Sequence, residues 1–374
     1  MIYLDYSANT PADPAVLARF VETEGQFIGN PNSKHSAGKA ANSALEAITV
    51  AIAEKLNVKP SEIIYTSGAS EANNLAIKGI ARSSRHIGKH IISTPLEHMS
   101  VSAPLTYLQE QGYEIDLVDI GRDGKVDLEH FRELLREDTV LVAVCAVDSE
   151  LGTVQPIREI AEILRDYPDC KLHVDMTQAV GKTDIILEGV DTAAFSAHKF
   201  YGLNGSGFLF KKESLVIEPL FHGGVSNTLY RSGTPTLALA AALDTALGLA
   251  LSEREERAKA VQAHNSFLRK ELYSYKGVRI NSPENAVPHI LNVSVKGIKG
   301  SEFQRVLDER GVCVSVKSAC SVEGTPSRAV FAVSRDRKTA LSSWRISLSH
   351  LTTEAELKKF MKIFDECYKE LVNG

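Results

Sequence analysis

The sequence predicts an α/β protein: a large domain with a mostly parallel, seven-stranded sheet and a smaller α+β domain. From about residue 60 to residue 210, short β-branched runs alternate with stretches of helical periodicity. Such alternation is typical of a parallel sheet that is covered by helices on both faces. The candidate strands are Ile63–Thr66, His90–Thr94, Ile115–Ile120, Val140–Val147, Lys171–Asp175, Ala193–Ser196 and Gly207–Phe210. Sheets of this kind bind their ligands at the carboxyl ends of the strands.

Helices are expected between these strands and after them. The spacing of apolar residues predicts helices over Leu128–Arg136 and Ile157–Arg165. Asp127 directly precedes the first of them, where its carboxylate can accept hydrogen bonds from the unpaired N–H groups of the first turn. The most apolar stretch of the chain, Leu237–Leu251, is too short and too polar to span a bilayer and predicts a buried helix.

A smaller α+β unit follows the sheet. A long helical stretch from about Thr236 to Tyr275 is expected to link the two parts. Beyond it the sequence predicts strands near Val278–Ile280, Ile290–Val295, Cys313–Val316 and Arg345–Leu348, and helices near Ser301–Glu309 and over Thr353–Val372. The segment between Val322 and Lys338 is rich in Gly, Pro, Ser and charged residues, which predicts a mobile loop.

Composition excludes several classes of protein. Hydrophobic residues make up 44% of the 374 residues, which is enough for a large core and excludes a mainly disordered chain. The formal net charge is −5, from 42 basic and 47 acidic residues, so the basic excess typical of nucleic-acid and membrane-surface proteins is missing. We therefore expect no nucleic acid and no membrane as a partner, whereas a small acidic substrate needs only one local arginine.

The cysteines indicate a reducing, cytoplasmic setting. Their number, five, is odd, and no pair has C-x-x-C spacing, which argues against a disulfide framework and a structural zinc site. The first residues have no basic region followed by an apolar one, so no secretory signal is expected. His86 and His90 have the spacing of metal ligands on a helix, but Gly88 lies between them and a strand follows, so no metal site is expected.

Two neighbouring strand ends carry a carboxylate and a lysine. Asp175 ends one apolar strand, and Lys199 follows a second apolar strand in a similar position. A partly buried lysine has a depressed pKa and can form a Schiff base, while a carboxylate facing a pyridinium nitrogen keeps that ring protonated. This pair is what a protein contributes to the chemistry of pyridoxal 5′-phosphate (PLP). For either residue alone, a capped strand end or a solvated lysine is the more common explanation.

A third segment adds a possible site for a phosphate group. Residues 66–73, Thr-Ser-Gly-Ala-Ser-Glu-Ala-Asn, run from a strand into a helix. Small residues there leave backbone N–H groups accessible, and the helix dipole favours an anion. Many strand–helix turns share this composition, so the segment is informative only together with Asp175 and Lys199.

Taken in order, several motifs resemble those of one enzyme family. They are Tyr3-Leu-Asp5, Gly29-Asn-Pro31, Thr66-Ser-Gly68, Glu97-His98, His173-Val-Asp175, Ser196-Ala-His198-Lys199, Arg231-Ser-Gly-Thr234 and Ser318-Ala-Cys320. The chain resembles, nearly from end to end, cysteine desulfurases of the NifS/IscS type in the class V aminotransferase family of fold-type I PLP enzymes. The resemblance implies the aspartate-aminotransferase-like fold, with a large PLP-binding domain over residues 13–255. It implies a small domain over residues 1–12 and 256–374 that carries the catalytic cysteine loop.

The resemblance implies roles for the side chains around the PLP ring. Lys199 would bind PLP as a Schiff base and remove the α-proton of the substrate. Asp175 would pair with the ring nitrogen, and Gln178 would reach the phenolic oxygen. His98 would stack on the ring and transfer protons, and Arg345 would bind the substrate carboxylate through a bidentate pair.

The resemblance also implies how the phosphate group is bound and that the protein is a homodimer. Ser70, Ser196, His198 and the backbone at Ala69 would bind the phosphate of the same subunit. Thr234 would reach the phosphate of the neighbouring subunit's cofactor, so each site would need two subunits.

Cys320 would be the nucleophile that takes sulfur from the substrate. It lies at the start of the predicted mobile loop, with Lys317 and two serines nearby, and a neighbouring cation favours the thiolate. A lone cysteine is more commonly a small buried hydrophobic residue, and this interpretation is applied to Cys145, which lies within an apolar strand.

The resemblance therefore implies a PLP-dependent L-cysteine desulfurase. Its products would be L-alanine and a persulfide on Cys320, which passes sulfur to an acceptor protein such as an iron–sulfur scaffold, or into thiolation. A selenocysteine lyase or a transaminase of the same fold is an alternative, although a transaminase does not need Cys320. A catalytically weak desulfurase-like scaffold protein is a second alternative.

The chain departs from the family pattern at a few positions. Where the family has two asparagines after the fourth strand, this chain has Asp148 and Ser149. A serine hydroxyl can donate a hydrogen bond to the phenolic oxygen as an asparagine does, so Ser149 is kept as a cofactor-binding residue. Lys317 stands where a glycine is more usual. These changes affect substrate preference and partner identity more than cofactor binding.

Overall fold

A large sheet forms where the sequence predicts it. The computed structural model describes residues 1–224, 228–317 and 324–373. Its strands are β1 (Ile2–Tyr3), β2 (Ile63–Thr66), β3 (His90–Ser93), β4 (Glu114–Leu117), β5 (Thr139–Cys145), β6 (Lys171–Asp175), β7 (Thr192–Ser196), β8 (Gly207–Lys211), β9 (Val278–Ile280), β10 (Ile290–Val295), β11 (Val312–Cys313) and β12 (Ser343–Ser347). Each of the seven strands predicted for the large sheet is present, and its ends lie within a few residues of those predicted.

The large sheet is mostly parallel, as predicted. Its seven strands have the order β2-β8-β7-β6-β5-β3-β4. β8 is antiparallel to both of its neighbours, whereas the contacts among β7, β6, β5, β3 and β4 are parallel. Strands β5 and β7 are buried along their whole length, because helices cover both faces of the sheet. β4 is an exposed edge strand that ends at Leu117, earlier than predicted.

The helices occupy the segments between and after the strands. They are α1 (Pro14–Gln26), α2 (Ser36–Leu56), α3 (Ala69–Ser83), α4 (Met99–Glu110), α5 (Leu128–Leu134), α6 (Ile157–Ile163), α7 (Leu237–Ser252), α8 (Arg254–Tyr273), α9 (Gly300–Asp308), α10 (Arg328–Ser334), α11 (Arg337–Leu341) and α12 (Glu354–Asn373). Asp127 caps α5 as predicted, because its carboxylate accepts hydrogen bonds from the N–H groups of Glu129 (3.0 Å) and His130 (3.2 Å). Helices α1 and α2 were not predicted from the sequence.

The prediction of a loop between Val322 and Lys338 is wrong for its described part. Residues 328–334 form α10, and α11 begins at Arg337. The Ser327 side chain caps α10 by accepting a hydrogen bond from the N–H group of Val330. Ala329 and Val330 are buried in the core beside the sheet, and this burial outweighs the loop-like composition around them. Residues 322 and 323 lie outside the described part of the chain.

The single helical stretch predicted after residue 236 is two helices. α7 ends before Glu253, whose backbone leaves the helical conformation (φ −100°, ψ 5°), and α8 starts at the next residue. Leu237–Leu251 lies within α7 and is mostly buried, as predicted. None of the described helices combines the length and the apolar character that a membrane crossing requires.

A second core lies around the C-terminal strands. β12, β10 and β9 form an antiparallel sheet, and the rings of Phe303 and Trp344 stack at 5.2 Å between centroids beneath it. β1, at the N-terminus, pairs in parallel with β11, so that Ile2 lies beside Val312. The first residues of the chain therefore pack in this core and lead from it towards the large sheet. The division of the chain into residues 13–255 and residues 1–12 with 256–374 stays a prediction.

Candidate active site

A cavity of about 370 Å³ lies at the carboxyl ends of the central strands, where the fold class predicts a ligand. Asp175 is the last residue of β6, and Ser196 is the last residue of β7. The predicted site residues that line the cavity are Ala69, Ser70, His98, Ser149, Asp175, Gln178, Ser196, His198, Lys199 and Arg345. Residues from distant parts of the sequence are thus brought to one cavity.

The N-terminal segment holds Lys199 in place. Residues 197–199 form a short 3-10 turn after β7, and the Lys199 ammonium donates hydrogen bonds to the carbonyl oxygens of Ser7 (2.9 Å) and Ala8 (2.6 Å). Thr10 fixes the same turn, because its hydroxyl donates to the carbonyl of His198 (2.9 Å) and accepts from the N–H group of Tyr201 (2.8 Å). The lysine is therefore positioned by a segment that starts in the second core.

Asn73, on α3, holds the buried Asp175 carboxylate. The Asn73 amide nitrogen donates to Asp175 (2.9 Å) and to the hydroxyl of Ser100 (2.9 Å), and its carbonyl oxygen pairs with Nε2 of His173 (2.9 Å). A carboxylate only accepts hydrogen bonds, so this contact assigns the orientation of the Asn73 amide. The N–H group of Thr177 donates to the other carboxylate oxygen (2.9 Å).

His98 caps α4 at its N-terminus and is oriented by Ser100. Nδ1 of His98 accepts a hydrogen bond from the N–H group of Ser100 (3.1 Å) and also contacts the Ser100 hydroxyl (2.9 Å). These contacts assign the ring proton to Nε2. Burial lowers the pKa of His98 from its ordinary value, with Lys199 and Arg345 adding to the effect and Asp175 opposing it. His98 is therefore predominantly neutral near pH 7.

The turn before α3 forms a cup for an anion. Gly68 adopts φ 144°, and a Cβ atom there would lie 3.2 Å from the Ser196 hydroxyl oxygen. The first N–H groups of the 15-residue helix α3 face this turn, and a helix N-terminus favours negative charge. Ser196 contacts Nδ1 of His198 (3.0 Å), and burial lowers the pKa of His198 to about 4, with Lys199 and Lys182 adding to the shift.

A salt bridge holds the segment after residue 228 against this cup. The Glu71 carboxylate accepts from the N–H group of Ser67 (2.8 Å) and from Nε of Arg231 (2.9 Å). Thr234, three residues further on, is exposed and is not among the described residues that line the cavity of its own chain.

Arg345, the predicted carboxylate-binding residue, is held from two sides. Its guanidinium donates to the carbonyl oxygen of Ser149 (2.7 Å) and to the carboxylate of Asp5 (2.9 Å), which also accepts from the hydroxyl of Ser315 (2.8 Å). Nε of Arg345 is buried and has no hydrogen-bond partner among the described residues. The sequence analysis gave no role to Asp5.

Two buried carboxyl groups lie below the cavity. Asp148 accepts hydrogen bonds from the N–H groups of Glu150 and Leu151, and burial raises its pKa to about 7. Glu97 accepts from the hydroxyl of Thr94 (2.8 Å) and from the N–H group of Cys145 (3.0 Å), and burial raises its pKa to about 8. Asp148 thus stabilises its own loop, whereas Ser149 lines the cavity.

The cysteines differ in their environments. Cys145 is buried as expected, and burial raises its thiol pKa well above the ordinary value, so it is no thiolate at neutral pH. Cys320 lies outside the described residues. Among the described residues, no cluster of His, Cys, Asp and Glu is suited to hold a metal ion.

The arrangement suits an aromatic, phosphorylated carbonyl compound. An amine, a carboxylate, a neutral histidine and an anion cup surround a cavity large enough for a small cofactor. The sequence analysis missed the residues that orient these groups: Asp5, Ser7, Glu71, Asn73, Ser100 and His173. Asn73 belongs to the segment 66–73 and His173 to the motif His173-Val-Asp175, but the local sequence around each residue does not show that the two side chains meet.

Comparison with known proteins gives a consistent result. The family described as aminotransferase class V matches residues 2–360. A protein from Lactobacillus delbrueckii subsp. bulgaricus named "NifS/IcsS protein homolog" is 38% identical over 375 residues, covering 99% of this chain and 97% of the relative. A protein from Dechloromonas aromatica named "Cysteine desulfurase IscS" is 38% identical over 373 residues, covering 98% of this chain and 91% of the relative.

Solved structures share the fold over nearly the whole chain. One described as a NifS-like protein superposes with a TM-score of 0.92 at 34% identity, covering 99% of both chains. Another, described as SspA in complex with cysteine, has a TM-score of 0.82 at 30% identity, covering 94% of this chain and 100% of that one.

Replacing Asn73 should destabilise the protein much more than replacing its neighbour. Asn73→Ala removes one buried hydrogen-bond partner from Asp175 and one from His173, and we expect a loss of about 2–4 kcal/mol in the free energy of unfolding. Asn74→Ala removes one hydrogen bond to the carbonyl of Ser70 on the same helix and should cost under about 1 kcal/mol. Urea unfolding measures both variants. Equal losses would contradict the role of Asn73.

Glu97 should make stability fall as pH rises through the neutral range. Its folded-state pKa of about 8 exceeds the ordinary value of 4.5. Between these values the folded chain holds a proton that the unfolded chain has released, so rising pH favours unfolding. From pH 6 to pH 7.5, wild type should lose roughly 2 kcal/mol relative to Glu97→Gln in urea unfolding. Parallel stability curves for the two proteins would contradict a raised pKa.

Proposed function

The chain belongs to the class V aminotransferase family, and we infer from this premise that it is a PLP-dependent L-cysteine desulfurase. Full-length relatives at 38% identity include a cysteine desulfurase and a NifS/IcsS homolog. The structural observation that carries the inference is the meeting of Lys199, Asp175, His98 and Arg345 around one cavity. These groups can bind, orient and deprotonate an amino acid.

We propose that PLP occupies this cavity. Lys199 would hold its carbonyl carbon, Asp175 its ring nitrogen, and Gln178 and Ser149 its phenolic oxygen, with His98 against the ring. The phosphate group would be bound by the cup, that is, by Ala69, Ser70, Ser196 and His198. When bound, PLP supplies an electron sink for the carbon next to the amino group. The position of Asp175 at the cavity and the open N-terminus of α3 support this assignment.

Substrate binding and proton removal are proposed for three residues. Arg345 would bind the carboxylate of L-cysteine. Asp5 and Ser149 hold its guanidinium in place. Lys199 would remove the α-proton of the substrate. His98 is neutral and carries its proton on Nε2, so it could act as a proton donor or acceptor beside the reacting carbon.

Sulfur transfer is proposed for Cys320. Its thiolate would attack the substrate sulfur, forming a sulfur–sulfur bond while the bond from sulfur to Cβ breaks and its electron pair stays with carbon. Protonation of that carbon gives L-alanine, so that cysteine and the enzyme thiol yield alanine and an enzyme persulfide. The support for Cys320 is the Ser318-Ala-Cys320 motif together with the high pKa of the buried Cys145 thiol.

We further propose a cytoplasmic homodimer that passes the persulfide to a sulfur-acceptor protein such as an iron–sulfur scaffold. The exposed Thr234 would then contact the phosphate in the neighbouring subunit, with the Glu71–Arg231 pair holding its segment in place. The free thiols of Cys145, Cys170, Cys313 and Cys367 are consistent with a reducing compartment.

Lys199→Ala should abolish covalent attachment of PLP. We expect borohydride reduction to fix PLP on the peptide containing Lys199 in wild type and on no peptide in the variant. Lys211→Ala is the control, because the Lys211 ammonium donates to backbone carbonyls away from the cavity and its loss should leave the label in place. Label on another lysine in wild type would contradict the assignment.

Cys320→Ser should distinguish a desulfurase from a transaminase and from a catalytically weak scaffold protein. We expect this variant to bind PLP and respond spectrally to L-cysteine, while its release of alanine falls by roughly two orders of magnitude or more. Cys313→Ser is the control and should keep wild-type activity. In wild type, one sulfur atom should be added to the peptide containing Cys320.

Three results would contradict this mechanism. Alanine release by Cys320→Ser at the wild-type rate would show that Cys320 is not the nucleophile. Sulfur on Cys145 or Cys313 would assign the persulfide to another residue. A wild-type protein that exchanges amino groups with many amino acids and releases no sulfur would be a transaminase.

A further inference from the structure

A second lysine, Lys182, contacts a residue that lines the active-site cavity but does not line the cavity itself. The Lys182 ammonium donates a hydrogen bond to the side-chain carbonyl oxygen of Gln178 (2.9 Å), and the amide nitrogen of Gln178 donates to the carbonyl oxygen of Ser7 (2.9 Å). Gln178 is buried and lines the cavity with Lys199. The Ser7 carbonyl also accepts from Lys199, so the two cavity side chains share one acceptor.

The partners of Gln178 determine the positions of the oxygen and the nitrogen of its side-chain amide. An ammonium group only donates hydrogen bonds, and a backbone carbonyl only accepts them. The oxygen of Gln178 must therefore lie towards Lys182 and its nitrogen towards Ser7. Ser7 takes one of the two hydrogens on that nitrogen, which leaves the second for a ligand in the cavity.

Ser7 alone would hold this orientation weakly. Its carbonyl is already satisfied by Lys199, so it does not depend on Gln178 as a donor. Without Lys182, the buried oxygen of Gln178 would lose its donor, and a buried acceptor without a partner is costly. Rotating towards the Lys199 ammonium would then become the favourable alternative, with the oxygen in place of the N–H group at the cavity.

The surroundings of Lys182 do not favour its charge. Lys182 forms no ion pair with a described carboxylate. The positive charges of Lys199 and Arg345 disfavour a charge on Lys182. His289 and His350 line the small cavity on its other side, and Lys182 helps to lower the pKa of His289. Burial, with the two cations, lowers the pKa of Lys182 to about 7. A lysine with a pKa lowered in this way, beside a cavity, is typical of a functional site.

We propose that Lys182 is a positioning residue that fixes the Gln178 amide so that an N–H group faces the cavity and donates to the bound cofactor. This inference rests on the proposed function, in which Gln178 contacts the phenolic oxygen of PLP. Lys182 itself acts only through Gln178. When Lys182 is charged, its hydrogen bond also polarises the amide and makes its N–H groups stronger donors.

The test is a titration of the cofactor-free protein with PLP. Lys182→Met removes the donor and keeps the side-chain length, and we expect PLP affinity to fall about 3- to 10-fold, the value of one hydrogen bond. Lys182→Arg keeps a donor-only group and should stay within about 2-fold of wild type. Lys211→Met removes the ammonium of another buried lysine, away from the cavity, and should also stay within about 2-fold.

A double-mutant cycle tests whether Lys182 acts through Gln178. In the Gln178→Leu background, adding Lys182→Met should change PLP affinity less than about 2-fold, because the amide to be oriented is gone. The pH midpoint of the bound cofactor's absorbance is a second readout. Lys182→Met should raise it, since the ring oxygen loses a donor that stabilises its negative charge, and Lys211→Met should not move it.

The outcomes separate this inference from the function on which it rests. The inference is overturned if Lys182→Met lowers PLP affinity equally with and without the Gln178 side chain. It is also overturned if Lys182→Met binds PLP as wild type does while Gln178→Leu binds it more weakly. If Gln178→Leu itself leaves affinity and absorbance unchanged, the contact between Gln178 and the cofactor is wrong and the inference fails with it. If wild type does not bind PLP at all, the proposed function is what fails.

Discussion

The backbone of residues 5–10 is the constraint on which the active site depends. The carbonyl of Ser7 accepts hydrogen bonds from Lys199 and Gln178, and Asp5, two residues earlier, forms a salt bridge with Arg345. Thr10 holds the turn that carries Lys199. One short segment thus sets the positions of the amine, the amide and the guanidinium. Movement of this segment relative to the large sheet would disturb the hydrogen bonds that hold these groups.

The segment is itself fixed by the second core. β1 pairs with β11, and the N–H group of Ser7 donates to the hydroxyl of Ser347 at the end of β12 (3.0 Å). The site is therefore assembled between two cores: the large sheet supplies Asp175 and the turn with Lys199, and the C-terminal sheet supplies Arg345. In the proposed enzyme, this arrangement places the groups for the cofactor on one part of the fold and the group for the substrate carboxylate on the other.

The charged groups of the site are kept in place by neutral polar neighbours. Asn73 connects Asp175 to His173 and Ser100, and Ser100 in turn orients His98. Burial lowers the pKa of His173 to about 4, so this histidine is neutral. One of its ring nitrogens donates a hydrogen bond and the other accepts one. Such a network holds the carboxylate rigidly without neutralising its charge, which suits the proposed pairing of Asp175 with a cationic ring.

Local sequence patterns were sufficient to place the strands of the large sheet, with their ends correct to within a few residues. A parallel strand that is buried on both faces is typically an unbroken run of apolar residues, and such a run is visible in the sequence at 140–147, where the structure has β5. Because ligands bind at the carboxyl ends of such strands, Asp175 and Lys199 could be singled out. The remaining predicted site residues came from the family resemblance, which covers nearly the whole chain.

The sequence by itself determined which residues could form the strands and which of them carry amine, carboxylate or thiol chemistry. Only the tertiary structure decided which groups meet. Asp5 and Arg345 are separated by 340 positions, and Ser7 and Gln178 by 171, so no local periodicity records these contacts. The helix at residues 328–334 was missed for the same reason: Ala329 and Val330 are helical because they bury against a distant core, and their flanking residues alone favour a loop.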